Sequence, residues 1–252
     1  MTGTDLTVSA VGLEIDRLAN VHRRAGGVGM SVLNLIGGQA ENLLERLPDT
    51  TKDQLESVTQ RALETAMSAA SVSHRVVPAR QTWLDKAVAT GMGAVGGAGG
   101  LPSALVELPV TTSVLLRSIQ GVALDHGFDP ESDAIRKECI LVFATAGPLA
   151  ADDGADLAFL SARMTLTGAT VHGIISKVAP RLAAVLGQKL AAQTIPLIGA
   201  AAGAATNYAY ISYYQEMAKV HFGLLKLSHE TGRPWKVLTS DLRHALKKDN
   251  VP

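Results

Sequence analysis

The chain has 252 residues, enough for one large domain or two small ones and for a core that needs no metal or disulfide to hold it. Its 23 basic and 23 acidic side chains cancel, so no global field draws it to nucleic acid, and no signature of an RNA- or DNA-binding module is present. Cys139 is the single cysteine, which excludes an intrachain disulfide framework and favours a reduced compartment.

The first 26 residues carry Asp5, Glu14, Asp16, Arg17, Arg23 and Arg24 with no continuous apolar run between them. A secretory leader is therefore not expected, and a cytoplasmic location is. Apolar residues recur at helical spacing almost throughout, and period-two alternation is scarce, so the chain reads as all-α. Residues 13–19 and 30–47 predict two short helices separated by Gly26-Gly27. Thr51-Lys52-Asp53-Gln54 can form a capping box ahead of the stripe Leu55, Val58, Ala62, Leu63, Ala66, Met67 and Ala70. After Val77-Pro78 a helix is expected over 83–95, Gly96 to Gly100 interrupts it, and Pro102 opens a helix to His126 that Pro109 should kink. Gly127 as a helix stop, and Asp129-Pro130 as N-cap and first helical residue, make Gly127-Phe128-Asp129-Pro130 a tight corner. The next helix ends near Gly147-Pro148, and 155–166, 171–186, 190–203, 207–227 and 234–246 are the remaining helical candidates. Residues 1–80 read as an N-terminal helical region and 81–252 as a helical core, together one continuous multi-helix domain.

Two stretches, 87–106 and 190–215, are free of charge and rich in Gly and Ala. Gly93/Gly97, Gly96/Gly100 and Gly199/Gly203 are four apart, the spacing that clears one helical face for backbone-to-backbone contact, so the two segments are expected to pack together. The second would reach roughly 39 Å as a helix, enough for a hydrocarbon core of about 30 Å. Gln193, Thr194, Pro196, Thr206 and Asn207 argue against insertion. Self-association through the same glycine faces, giving a homo-oligomer, is a further reading, in which Gly97→Leu or Gly203→Leu would abolish the oligomer.

Gly91-Met92-Gly93-Ala94-Val95-Gly96 matches the dinucleotide fingerprint, but no strand is expected before it and no ribose-binding acid stands about 20 residues on. Helix packing is the better reading, and no cofactor is implied. The seven histidines show no paired metal-ligand spacing, so no metal site is predicted. Cys139 lies in an apolar run and reads as a buried thiol. Glu107, the only acid between Asp85 and Asp125, and Arg117 either fix helix register through partners elsewhere or form a polar site in a helical cavity. Asp125 and His126 read as solvated capping residues beside the corner. All four tyrosines, Tyr208, Tyr210, Tyr213 and Tyr214, cluster where the second charge-free stretch ends. That position suits a membrane interface. It equally suits one packed face made of Tyr210, Tyr214, Met217, His221 and Leu224, which is the favoured alternative. Beyond Gln215 basic side chains outnumber acidic ones by three, compatible with weak attraction to anionic lipid or with a solvated face.

Gly99-Gly100-Leu101-Pro102, Glu107-Leu108-Pro109, Arg117-Ser118-Ile119, Gly127-Phe128-Asp129-Pro130, the run from Ile195-Pro196 through Asn207-Tyr208, and His221-Phe222, in that order, resemble the EcsC family. The resemblance covers about Trp83 to Gly232. It implies membrane association and an ABC transporter linked to secretion as partner, and it brings no agreed catalytic residues. The leading expectation is a non-catalytic helical accessory protein docked peripherally on the inner face of the membrane. An apolar seam lined by Leu101, Leu105, Ile195, Ile198 and Tyr208, with Glu107 or Arg117 at its mouth, would take a lipid tail carrying a polar head. The alternative is a hydrolase with Glu107 as acid or base, Arg117 stabilising negative charge, and His126 or His221 nearby.

Overall fold

The computed structural model describes residues 3–25, 57, 59–67, 87, 90–91, 100–145, 170–176, 179 and 199–248. The fold is all-α: the described residues contain no strand. They form helices α1 (Gly3–Ala25), α2 (Gly100–Asp125), α3 (Asp133–Thr145), α4 (Gly199–Thr231) and α5 (Trp235–Lys248), with helical stretches at 59–67 and 171–176. No helix among the described residues is long and apolar enough to cross a membrane.

α4 is the axis of the bundle, and α1, α2, α3 and α5 all pack on it. Side-chain pairs set the directions. Leu18 lies against Gly223 and Arg24 against Glu216, so α1 runs antiparallel to α4. Glu138 meets His221 and Phe143 meets Tyr214, so α3 is antiparallel as well. Ser118 meets Gln215, and Phe128 beyond the end of α2 meets Phe222 and His229, so α2 runs parallel to α4. After the Gly232-Arg233-Pro234 link α5 turns back, and Arg23 of α1 reaches the Ala245 carbonyl near its end. α1 and α5 thus descend side by side.

The expected break between 203 and 207 does not occur, and α4 runs unbroken from Gly199 to Thr231. Thr206-Asn207 contains neither proline nor glycine, and the alanines on both sides favour helix. Tyr210, Tyr214, Met217, His221 and Leu224 are all buried, as are Ile211, Ala218, Val220, Phe222 and Leu225 on other faces. A helix apolar nearly all round must be enclosed, which is why α4 sits at the centre. The favoured packed-face reading of the tyrosines holds: Tyr210 and Tyr213 each pack on Tyr214, and Tyr214 on Phe143, in the core, while Tyr208 is exposed.

α1 is longer than its apolar stretch suggested. Val11, Ile15, Leu18 and Ala25 hold one buried face, and nothing breaks the helix before Gly26. α2 begins at Gly100, keeps Pro102 in its first turn and passes Pro109 without ending. In the stretch 59–67, Ala62, Leu63, Ala66 and Met67 are buried, as the spacing predicts. The capping box at 51–54 and the helices expected at 30–47 and 155–166 lie outside the described residues, as do Gly93, Gly96 and Gly97. Gly100, Gly199 and Gly203 stand at the starts of α2 and α4, which point the same way along the bundle. Residues 87, 90 and 91 are helical, so the fingerprint-like glycine run does not open from a strand.

Both observed helix stops use left-handed glycine. At Gly127 (φ 84°) the Phe128 N–H donates to Ala123 and the Gly127 N–H to Leu124, a Schellman pair that sends Phe128 back onto Phe222. At Gly232 (φ 68°) a single bond to Ser228 closes α4. The corner after Gly127 is longer than predicted: α3 starts at Asp133, and Ser132 caps it by accepting from the Ile135 N–H at 3.4 Å. Asp129 instead folds the approach, its carboxylate accepting from Glu131 N–H at 2.9 Å.

Candidate functional site

Two places along α4 bring buried polar side chains of different helices together. The first is where α3, α4 and the start of α5 meet. On α3, Ile135, Glu138, Cys139 and Val142 follow helical spacing, so Glu138 shares the apolar face and is carried inward with it. Its carboxylate lies 2.8 Å from His221 Nε2, with the His221 side chain 0% and the Glu138 side chain 13% exposed. Trp235, the first residue of α5, covers the imidazole at a ring separation of 5.2 Å. A carboxylate this close orients the ring and favours a proton on Nε2. General acid–base work also needs contact with a substrate, and His221 has no exposed surface. As enclosed, the pair is an internal tie between α3 and α4.

The second place is the α2–α4 seam. Gln215 Nε2 donates to Ser118 Oγ at 2.7 Å, both groups buried. Gln120 Nε2 approaches Met67 Sδ at 3.9 Å, linking the stretch 59–67 to α2. Ser212 Oγ, one turn before Gln215 on α4, is buried without a hydrogen-bond partner. The Ser118–Gln215 bond is thus a polar contact set into an apolar core, and it fixes the relative register of the two helices.

Of the predicted site residues, the side chains of Arg117, His126, His221 and Tyr208 are described. Arg117 is partly buried on α2 beside Ser118. His126 ends α2 with Nδ1 2.8 Å from the Val122 carbonyl, and Asp125 is exposed, so both stand at the helix end as their place beside the corner suggested. His221 pairs with Glu138, a partner the sequence reading did not name. Tyr208 is 51% exposed near the start of α4. Leu101, Leu105 and Glu107 belong to the first turns of α2, but their side chains lie outside the described residues, as do Ile195 and Ile198 altogether. Glu138 and Trp235 were missed. The available signal was a lone carboxylate in the stripe 135, 138, 139, 142.

Cys139, next to Glu138, is fully buried, and its thiol is pushed well above its ordinary value, first by burial and then by the Glu138 charge. A maleimide is expected to label it only as fast as the protein unfolds. Rapid labelling of the folded protein at pH 8 would contradict the enclosure of this face. The sign of the pH effect follows. The fold keeps a proton that the unfolded chain releases near pH ~8.5, so this contribution is complete below that value and is lost as pH rises towards the folded value. Burial raises Tyr210 likewise, adding to the loss above about pH 10.

The family model of the EcsC protein family matches residues 36–224. The chain belongs to the EcsC family. No curated protein and no solved structure matches it. The EcsC match takes in α2, α3 and most of α4, and with them Ser118, Gln215, Glu138 and His221. It starts well before Trp83, where the recognisable motifs begin. α1 and α5 lie outside the EcsC match, yet Val11, Leu18, Trp235 and Leu242 belong to the same hydrophobic core as α4.

Proposed function

We propose that this EcsC protein is a non-catalytic, peripherally membrane-associated accessory protein that docks through the charge-free end of its bundle. The observation that carries the reading is the shared direction of α2 and α4. Their starts, 100–106 and 199–215, contain no charged residue, and the Ser118–Gln215 contact brings both to one end of the molecule. Val110 and Tyr208 stand two turns before that contact on their respective helices, 46% and 51% exposed. An exposed aliphatic and an exposed tyrosine at about one level of the bundle suit the boundary between acyl chains and headgroups.

The enclosed His221 favours a non-catalytic role over the hydrolase reading. The lipid-tail seam framed by Leu101, Leu105, Ile195 and Ile198 belongs to the proposal, with Glu107 or Arg117 meeting the polar head. An ABC transporter or secretion complex on the cytoplasmic face of the membrane is the accompanying partner, by family analogy. Lipid extraction from the purified protein and co-sedimentation with vesicles test the reading together. Co-purified lipid, and vesicle pelleting that weakens in Val110→Ser/Tyr208→Ser, are expected. Repeated absence of lipid together with failure to pellet would end the proposal.

A further inference from the structure

We infer that the converging last turns of α1 and α5 form a basic collar that binds the phosphates of an anionic membrane surface, orienting the docking end proposed above. His22, Arg23 and Arg24 occupy the last turn of α1, and Lys247 and Lys248 the last turn of α5. Arg243 and His244 are exposed one turn earlier. Basic residues at a single helix end are accounted for by its partial negative charge. Here two such ends meet, because Arg23 Nη1 donates to the Ala245 carbonyl at 3.5 Å, one of the last carbonyls of α5.

The convergence brings like charges within a Debye length of about 10 Å. Glu216 lies 2.6 Å from Lys219 and 4.0 Å from Arg24, whose side chain remains 71% exposed, and Lys247 and Lys248 are exposed as well. Arg24, Lys247 and Lys248 thus present positive charge that a surface of anions would offset.

Its height on the bundle argues for lipid over an acidic protein. The Arg24–Glu216 contact sets the collar level with Glu216, eight residues along α4 from Tyr208. That is a rise of about 12 Å. Long Lys and Arg stems shorten the remaining distance by reaching towards the polar layer. With Val110 and Tyr208 at the acyl boundary, the ammonium and guanidinium groups fall at the level of the headgroup phosphates. An acidic protein would have no need of apolar side chains one step below the charges.

The test uses the full chain with phosphatidylcholine vesicles and with vesicles that also contain phosphatidylglycerol. Arg24→Gln/Lys247→Gln/Lys248→Gln is compared with wild type, with the thermal melt as control for folding. Wild type is expected to favour the anionic vesicles, and the triple variant to lose about a hundredfold in affinity for them, from roughly fivefold per basic side chain. Weak binding to neutral vesicles should persist in both. Equal binding of variant and wild type to anionic vesicles would overturn the collar while leaving the docking end intact. Failure of wild type on every vesicle would overturn the collar and, together with absence of co-purified lipid, the docking end as well. Release by inorganic phosphate, but not by chloride at equal ionic strength, would indicate a free-phosphate site and also overturn the membrane assignment.

Discussion

Glu138→Ala is expected to cost about 3 kcal/mol in urea denaturation, because it strips the carboxylate from a histidine with no access to water. The Trp235 ring over the imidazole prevents solvent from replacing it without opening the start of α5. Glu138→Gln keeps an acceptor within reach of His221 Nε2 and should cost only about 1 kcal/mol. Replacing both partners with apolar groups, as in Glu138→Leu/His221→Phe, should recover most of the loss, since a buried polar pair is worth little more than good packing while half of one is worth much less. A Glu138→Ala protein within about 0.5 kcal/mol of wild type would show that the pair does not tie α3 to α4.

The second large effect is expected where α1 crosses α4. A Cβ built on Gly223 would come 2.6 Å from Leu18 Cδ2 and 3.3 Å from Cδ1. Leu18 is itself fully buried, so its methyl groups cannot swing aside into open space. Gly223→Val should therefore destabilise by about 3 kcal/mol despite a gain in helix propensity. Leu18→Ala alone should cost about 3 kcal/mol through the cavity it leaves. Combined, the two changes fill and empty the same space, and the double variant is expected to fall short of the sum by more than 1 kcal/mol. Strict additivity in a thermal or urea cycle would mean that the two residues do not share that volume.

Gly223 also shows the reach of the spacing argument. Pairs of glycines four apart pointed to 93–100 and 199–203 as places of close helix approach, and Gly223, which has no glycine partner at that spacing, is a further one that the rule does not find. Helix packing needs only one missing side chain where two axes cross, and the crossing point depends on how both helices are tilted. The His221–Glu138 pair was illegible for a related reason. The two residues are 83 apart, and only the antiparallel course of α3 along α4 makes them neighbours. The Ser118–Gln215 contact joins residues 97 apart by the same kind of arrangement, with α2 parallel.

By itself the order of residues determined what depends on neighbours along the chain. The all-α class follows from apolar spacing. The stop at Gly127 follows from the freedom of glycine at positive φ, and the enclosed face from Tyr210 to Leu224 from recurrence every three or four residues. Tertiary packing alone decided that Tyr214 meets Phe143, that His221 meets Glu138, and that the basic ends of α1 and α5 meet. Local rules act over one or two turns. The direction of one helix against another is set by the whole set of faces that must be buried at once.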